Sequence, residues 1–235
     1  MAFYSITISS TATPAKDAAT APEKTGLFAW PATFYLNEAA TARASKQTAL
    51  APTLTITAAN EATPPLSWTL AQLTHAVPVS HQIRRVVSAD GWSYKGHWEG
   101  YSLQKLLEAL PESHKPSASA QYIRQQNAYG QVEYLPLAAI RACDALLVKS
   151  EDGMALSALY GGPLWLMVFD RYSYKGLCAL QSLAFTETPK ATDKPLSSTM
   201  GYPETGLWQP GSRVYAIDLK SYKTLGPAGQ ECNAF

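Results

Sequence analysis

Two segments of the sequence concentrate the side chains that could carry out chemistry. The first, RRVVSADGWSYKGHWEGYSLQKLLEAL (Arg84 to Leu110), holds two arginines, Ser88, a histidine and two tryptophans. The second, YGGPLWLMVFDRYSYKGLCALQSLAFTE (Tyr160 to Glu187), adds Arg171, Lys175 and a pair of glycines. Hydroxyl, imidazole and guanidinium groups could form a catalytic site or a pocket for an anionic ligand. For the basic residues the alternative is ordinary solvated surface charge.

Neither segment contains a standard motif for metal binding, hydrolysis or nucleotide binding. The 4 histidines are too far apart for local ligand spacing, and H-E-x-x-H is absent. Ser88, Asp90 and His97 lie close together in sequence, but no G-x-S-x-G turn exposes the serine. The adjacent glycines Gly161 and Gly162 lack the spacing of a phosphate-binding loop and are typical of a tight turn. A histidine-held metal, a serine hydrolase and a nucleotide site are therefore disfavoured.

The overall composition disfavours other classes. The chain has 235 residues, of which 46% are hydrophobic and 16% charged, so it is large enough to bury a sizeable core. A net charge of +1 without a basic excess argues against binding to nucleic acid. The sequence contains no run of about 18 apolar residues, so no membrane span is predicted. The 3 cysteines have no C-x-x-C spacing, which argues against a zinc knuckle or a thioredoxin-type pair.

The elements that would position the reactive side chains are mostly strands. The residues TLTITA, from Thr53 to Ala58, alternate apolar and polar side chains as a half-buried strand does. The residues HQIRRVVS predict a strand that ends at Ser88 and leads into a glycine-rich loop at Asp90-Gly91. Ser102 is then predicted to cap a short helix with a leucine stripe, and Ser67 to cap an earlier helix.

Turn and strand signals continue farther along the chain. A hairpin is predicted around Asn127 to Gly130, and a turn at Glu151 to Gly153. Apolar runs predict strands at Pro163 to Phe169, Ala179 to Phe185 and Arg213 to Leu219. Strands outnumber the short helices, so the expected fold class is α+β.

The N-terminal region differs in composition from the rest. Residues 1–24 are rich in Ala, Thr, Ser and Pro without apolar periodicity and are predicted to form a flexible arm. Residues 25–235 are predicted to form a single domain. The N-terminus lacks the basic and apolar regions of an export signal, which leaves a cytoplasmic protein or a mature form whose signal has been removed.

Taken together, the two segments resemble the molybdopterin-binding oxidoreductase domain, which has the sulfite oxidase fold. In that family a strand ends in a cysteine and is followed by a loop of the EGW type, a W-x-G and a leucine-rich helix. This chain has Ser88, Asp90-Gly91-Trp92 and Trp98-Glu99-Gly100 in the same order. The family's turn [HN]-G-x-P-x-R corresponds to Tyr160 to Trp165, and its G-[YF]-K loop to Ser173-Tyr174-Lys175. The resemblance covers residues 54 to 187 and implies mixed β-sheets with short helices.

The resemblance also implies which residues would serve a molybdopterin cofactor. Ser88 stands where the family has the cysteine that ligates molybdenum, so it would be the metal ligand if molybdenum is bound. His97 or Tyr94 would donate protons as catalytic residues. The residues implied to bind the cofactor are Arg84, Arg85, Tyr160, Arg171, Lys175 and Gly176.

Four departures from the family pattern fall at this site. Ser88 replaces the thiolate ligand, and a neutral hydroxyl is a poor substitute for a soft sulfur donor. Tyr160 replaces the polar residue that opens the glycine turn, Trp165 replaces an arginine and Cys178 replaces a second lysine. We therefore expect no bound cofactor and a non-catalytic domain that binds a small anionic ligand or a partner protein. The alternative is an active molybdopterin-dependent oxidoreductase with Ser88 in place of the cysteine.

Two segments outside the site could meet a partner protein. One is the N-terminal arm, and the other is the C-terminal tail GYPETGLWQPGSRVYAIDLKSYKTL (Gly201 to Leu225), which is rich in Tyr, Trp and Pro. The resemblance favours a periplasmic location because the family is frequently exported. Neither a nucleic acid nor a membrane span is expected.

Overall fold

The computed structural model describes residues 53–58, 62–89, 92–142, 145–157, 161–208, 213–216, 221–225 and 231–232. The predicted N-terminal arm, the Asp90-Gly91 loop and Tyr160 lie outside the described residues.

Strands provide most of the regular structure. In chain order they are β1 (Thr53–Thr57), β2 (Leu66–Thr69), β3 (Val79–Val87), β4 (Trp92–Ser102), β5 (Tyr122–Asn127), β6 (Val132–Pro136), β7 (Leu146–Glu151), β8 (Met154–Ala155), β9 (Trp165–Met167), β10 (Leu180–Thr186), β11 (Arg213–Ala216), β12 (Ser221–Leu225) and β13 (Glu231–Cys232). The helices are α1 (Leu70–Ala76), α2 (Leu103–Ala109), α3 (Leu137–Ala142) and α4 (Leu196–Thr199). None of the described helices is long and apolar enough to cross a membrane.

The strands form two mixed sheets. The first sheet has the order β2-β1-β10-β5-β6, with β1 parallel to β10 and the other pairs antiparallel. The second has the order β13-β12-β11-β4-β7-β8, with β3 paired to β4 and β9 to β7. In this sheet β11 runs parallel to β4. Mixed sheets with short helices confirm the predicted α+β class.

The main hydrophobic core joins the first sheet to α1, α2 and the inner strands of the second sheet. The alternation in TLTIT places Leu54 and Ile56 inside. Leu103 and Leu106, one turn apart on α2, enter the same cluster. Burial of each such side chain contributes about 1.5–3 kcal/mol. The shared core fixes the two sheets relative to each other, and with them the elements that carry the site.

One of the two predicted helix caps is confirmed. Ser102 is the N-cap of α2, and its hydroxyl accepts a hydrogen bond from the Lys105 amide at 3.4 Å. Ser67 is not a cap, because it lies within β2. The N-cap of α1 is Thr69, which forms a capping box with Gln72. The pattern Thr-x-x-Gln immediately before the helix satisfies two amide groups, which Ser67 is too far upstream to reach.

The strand that follows the Asp90-Gly91 segment was not predicted from the sequence. Trp92 to Ser102 form β4, an 11-residue strand that pairs with β3 along its length and with β7 near its end. Gly100 allows close contact between strands, since a Cβ there would lie 2.2 Å from the Leu147 carbonyl oxygen. Gly100 therefore serves strand packing.

The other strand and turn predictions are confirmed within the described residues, with one change of length. Of the strand predicted from Arg213 to Leu219, the described part is β11, Arg213–Ala216. The hairpin of β5 and β6 turns at Asn127, whose Oδ1 accepts hydrogen bonds from the amides of Tyr129 and Gln131 at 3.1 and 2.9 Å. Asp152 and Gly153 form the turn after β7 with φ values of 49° and 76°. The strand predicted from Pro163 to Phe169 is reduced to β9, which pairs with β7 over three residues.

Candidate functional site

The two chemically rich segments meet in the structure. Val87, the last residue of β3, forms a parallel bridge with Tyr172. The guanidinium carbon of Arg84 lies 4.8 Å from the centre of the Phe169 ring, within cation–π distance. Residues of both segments line a small, partly open cavity of about 10 Å³. A cavity of this size holds at most one water molecule.

Ser88 follows β3 directly and is only 4% exposed. Side chains alternate along a strand, so the adjacent Arg84 and Arg85 point to opposite faces of the β3–β4 hairpin. Arg84 faces Phe169, whereas the buried Arg85 donates from Nη1 to the Ser93 hydroxyl at 2.9 Å. The two arginines therefore do not converge from the same face of the hairpin.

Tyr94 is buried and is hydrogen-bonded to a carboxyl group that the sequence did not single out. Its hydroxyl donates to Oε1 of Glu151 at 2.5 Å, and its ring packs edge-on against Trp98 at 5.9 Å. Burial raises the pKa of Glu151 to about 7; the hydrogen bond from Tyr94 opposes this shift, and the charge of Asp152 adds to it. A buried acid that titrates near neutrality can exchange protons under ordinary conditions.

His97 lies on the opposite face of β4 from Tyr94. Its side chain is 66% exposed, and Nδ1 lies 3.8 Å from Oδ1 of Asp152. Ser93 pairs with Val87 next to Ser88, and His97 is four residues farther along β4, which corresponds to about 13 Å. The structure therefore does not bring His97 to Ser88, and it places this imidazole in an open groove beside His81.

Lys175 is fully buried and forms an ion pair inside the protein. Its Nζ donates to Oε1 of Glu133 at 2.6 Å. Glu133 also accepts hydrogen bonds from the Ser197 amide at 2.7 Å, the Ser197 hydroxyl at 3.2 Å and the Tyr134 amide at 2.9 Å. Burial lowers the pKa of Lys175, while the charge of Glu133 acts in the opposite direction. The positive charge of this lysine is thus balanced from within the chain.

The backbone around Gly176 is held at several points. The side-chain amide of Gln125 donates to the Lys175 carbonyl at 2.9 Å and accepts from the Leu177 amide at 3.0 Å. The buried Trp165 donates from its indole nitrogen to the Gly176 carbonyl at 3.1 Å. A Cβ on Gly176 would lie 1.8 Å from the Leu166 carbonyl oxygen, so only glycine fits. This loop is a fixed part of the core.

Arg171 is also buried and is engaged within the chain. Its Nη1 donates to the Thr205 carbonyl, and its Nε lies 3.6 Å from Oδ1 of Asp170. Within the described ranges neither that Nε nor that Oδ1 makes a hydrogen bond. The guanidinium of Arg171 and the half-buried carboxylate of Asp170 therefore form an ion pair without a hydrogen bond between these two atoms.

Glu133, Glu151 and Gln125 are important residues that sequence reasoning missed. Gln125 on β5 lies opposite Glu133 on β6, and Glu151 ends β7. The available signal was weak: each is a polar residue inside or next to an apolar strand. A polar residue in such a place is usually satisfied by a partner that only the tertiary structure reveals.

The described residues do not fit a molybdenum-pterin group held in the way that the resemblance implies. The ligand position carries a hydroxyl, and Lys175 and Arg171 each pair with a carboxylate of the chain. Trp165 fills space beside the loop, and Cys178 packs against the same hydrophobic cluster. Across the described ranges, no group of three or more His, Cys, Asp or Glu side chains could hold a metal ion.

Comparison with known proteins gives a consistent assignment of the fold. Residues 48–194 match the family model of the oxidoreductase molybdopterin binding domain. A curated relative from Azospira oryzae, the putative protein-methionine-sulfoxide reductase subunit YedZ1, is 29% identical over 122 residues, which cover 52% of this chain and 45% of the relative.

A solved structure shows the same fold. The sulfane dehydrogenase SoxCD from Paracoccus pantotrophus superimposes with a TM-score of 0.50 and 16% identity, over 58% of this chain and 38% of that one. The chain thus spans less than half the length of either protein.

Proposed function

Because the chain belongs to the oxidoreductase molybdopterin binding domain family, we propose that it keeps the family's fold while its standard metal centre is lost or altered. In this proposal the protein is a non-catalytic domain that binds a small anionic ligand or a partner protein. Such a protein would be a pseudoenzyme of the family.

One observation carries the proposal: Lys175 is paired with Glu133 at 2.6 Å, and both side chains are buried. A lysine that is to hold the phosphate of a cofactor needs its ammonium group open to that phosphate. Here the ammonium group already has a carboxylate partner. The serine at position 88 supports the same conclusion, because a hydroxyl is a weaker donor than a thiolate for a soft-ligand site.

We also propose a protein partner and a periplasmic location for the chain. The YedZ1 relative is described as a subunit, and this supports a protein partner for the chain. The tail supports such a contact less well, because Trp208 packs with Val87, Tyr202 stacks on Tyr174 at 4.8 Å, and β11 pairs with β4. A periplasmic location is proposed because exported proteins are frequent in the family.

Metal and pterin analysis of the natively purified protein tests the proposal. The protein and an active family member are produced in the same molybdopterin-making host, and molybdenum is measured by mass spectrometry. Extractable pterin is measured by its fluorescence after oxidation. We expect the control to be loaded and this protein to contain neither group above background. Near-stoichiometric molybdenum together with pterin would overturn the proposal.

A second candidate is an active molybdopterin-dependent oxidoreductase with Ser88 as the ligand. The observation that favours it is the buried Tyr94–Glu151 pair, since the pKa of Glu151 near 7 suits proton transfer. If this candidate holds, Ser88→Ala abolishes oxidoreductase activity. An unchanged rate in Ser88→Ala would remove Ser88 from the role of ligand.

A further inference from the structure

We infer that Glu133 is a built-in anion whose carboxylate fills an oxyanion-binding site formed by Lys175 and Ser197. In the wild-type protein this carboxylate keeps the site closed to phosphates and carboxylates from solution. The inference rests on the proposed loss of the cofactor, and it adds the residue that takes the place of an external anion.

The donors around Glu133 form a complete set for an oxyanion. Oε1 accepts from Lys175 Nζ at 2.6 Å, from the Ser197 hydroxyl at 3.2 Å and from the Tyr134 amide at 2.9 Å. Oε2 accepts from the Ser197 amide at 2.7 Å. An ammonium group, backbone amides and a hydroxyl are the groups by which proteins bind phosphates and carboxylates.

Burial makes the anion obligatory. Lys175, Glu133 and Ser197 are each 1% exposed. A buried ammonium group without a counter-charge is strongly unfavourable, so the charged form of Lys175 requires an anion beside it in the folded state. Glu133 supplies this anion whatever the concentration of anions in solution, because it is part of the same chain.

The donors are held by contacts that do not involve Glu133. Gln125 fixes the backbone on both sides of Gly176, the residue that follows Lys175. The segment that precedes Ser197 is held by Asp193, which accepts from Arg124 Nε at 2.6 Å. Removing the Glu133 carboxylate should therefore leave the donors near their places and open a small anion site.

Anion rescue of Glu133→Ala tests the inference. The thermal midpoint Tm is measured at neutral pH in sodium chloride, sodium acetate and sodium phosphate at equal ionic strength. In chloride we expect Glu133→Ala to lose roughly 10 °C in Tm relative to wild type. Acetate, which matches the removed group, or phosphate should restore several degrees, because either anion binds only the folded variant. Wild type gives the general effect of each salt on Tm, and rescue is the rise in Tm of the variant beyond that of wild type.

The matched control is the double variant Glu133→Ala/Lys175→Met, which removes both charges. It should show no rescue by either anion. If Glu133→Ala does not fold in chloride, its refolding yield in acetate and in phosphate, relative to chloride, replaces the Tm. Rescue in the single variant but not in the double variant supports the site. Absence of rescue by both anions, or equal rescue in the two variants, overturns it.

These outcomes are separate from those of the metal analysis. Molybdenum and pterin in the wild-type protein would overturn the proposed function, whatever the anions do. Failure of anion rescue would overturn the role of Glu133 as an internal anion and leave the metal result untouched.

Discussion

The hydroxyl of Tyr94 lies 2.5 Å from a carboxylate oxygen of Glu151, and both side chains are buried in the second sheet. The space for this contact comes from Gly96, two residues along β4. A Cβ at that position would lie 2.7 Å from the Glu151 oxygen and 2.8 Å from the Trp98 ring. Because Gly96 has no side chain, the carboxyl group of Glu151 can lie inside an otherwise apolar cluster.

Glu151 should make the protein less stable as the pH rises from about 4.5 to about 7. Its pKa is 4.5 in an unfolded chain and about 7 in the folded protein, so the native state binds the extra proton in this window. The free energy of unfolding should fall by about 3 kcal/mol across it. Glu151→Gln, which stays neutral, should not show this contribution. Urea unfolding of wild type and variant across the pH range measures the difference.

The exposed Glu108→Gln provides the control for this prediction, since it should keep the wild-type pH profile. Tyr94→Phe should move the transition to higher pH, because the hydrogen bond from Tyr94 favours the charged form of Glu151. Identical profiles for wild type and Glu151→Gln would show that Glu151 does not titrate in this window.

Gln125→Leu should lower the free energy of unfolding by about 2–5 kcal/mol. The substitution keeps the size of the side chain but leaves the Lys175 carbonyl and the Leu177 amide buried without their partner. Chemical denaturation measures the loss. Gln104→Leu, on the exposed face of α2, is the matched control and should change stability by no more than about 0.5 kcal/mol. A small effect at Gln125 would mean that the loop around Gly176 is held by other contacts.

Asp193→Asn should weaken the attachment of the 187–199 segment to the first sheet. Asp193 accepts from Arg124 Nε at 2.6 Å and from the Tyr134 hydroxyl at 2.5 Å, and the hydrogen bond from Arg124 holds its pKa below 3.8. We expect a loss of about 1–3 kcal/mol at neutral pH. The difference from wild type should shrink as the pH falls below 3.8, because the wild-type carboxylate then becomes protonated.

Denaturant unfolding at neutral and at acid pH provides this comparison, with the exposed Glu187→Gln as control. A constant difference at both pH values would show that the charge of Asp193 is not what stabilises the segment.

Ser88→Cys should not restore a molybdenum centre. The substitution supplies the missing thiol, but Lys175 remains paired with Glu133 and the Trp165 indole still occupies its place beside Gly176. Metal analysis after production in a molybdopterin-making host should give molybdenum near background for wild type and variant alike. Molybdenum in Ser88→Cys but not in wild type would mean that the thiolate ligand is the only part of the metal site that this chain lacks.

The strands with clear periodicity could be predicted from the sequence, as could the cap at Ser102. Leu54 and Ile56 alternate with threonines, and such alternation in a short segment indicates a half-buried strand. β4 was not predicted, because glycines such as Gly96 and Gly100 are uncommon inside strands. Their purpose is close contact with neighbouring strands, which becomes visible only when β7 is in place.

The site was harder to predict than the fold. The resemblance brought Ser88 and Lys175 into the same region, and the bridge between Val87 and Tyr172 agrees with that arrangement. The partner of Lys175 could not be predicted, because Glu133 is 42 positions away in sequence and reaches the lysine only through the hairpin of β5 and β6. Local spacing carries no information on such a contact.

The parallel pairing of β1 with β10 also has a consequence for biogenesis. Thr55 lies opposite Ser182, so the first sheet joins an early strand to a late one. During translation, β1 cannot pair with β10 until β10 has left the ribosome, so the side chains of Leu54 and Ile56 lack this part of their core until then. Contacts between distant parts of a chain slow folding and prolong the lifetime of aggregation-prone intermediates. The nascent chain should therefore depend on chaperones up to the last third of its synthesis.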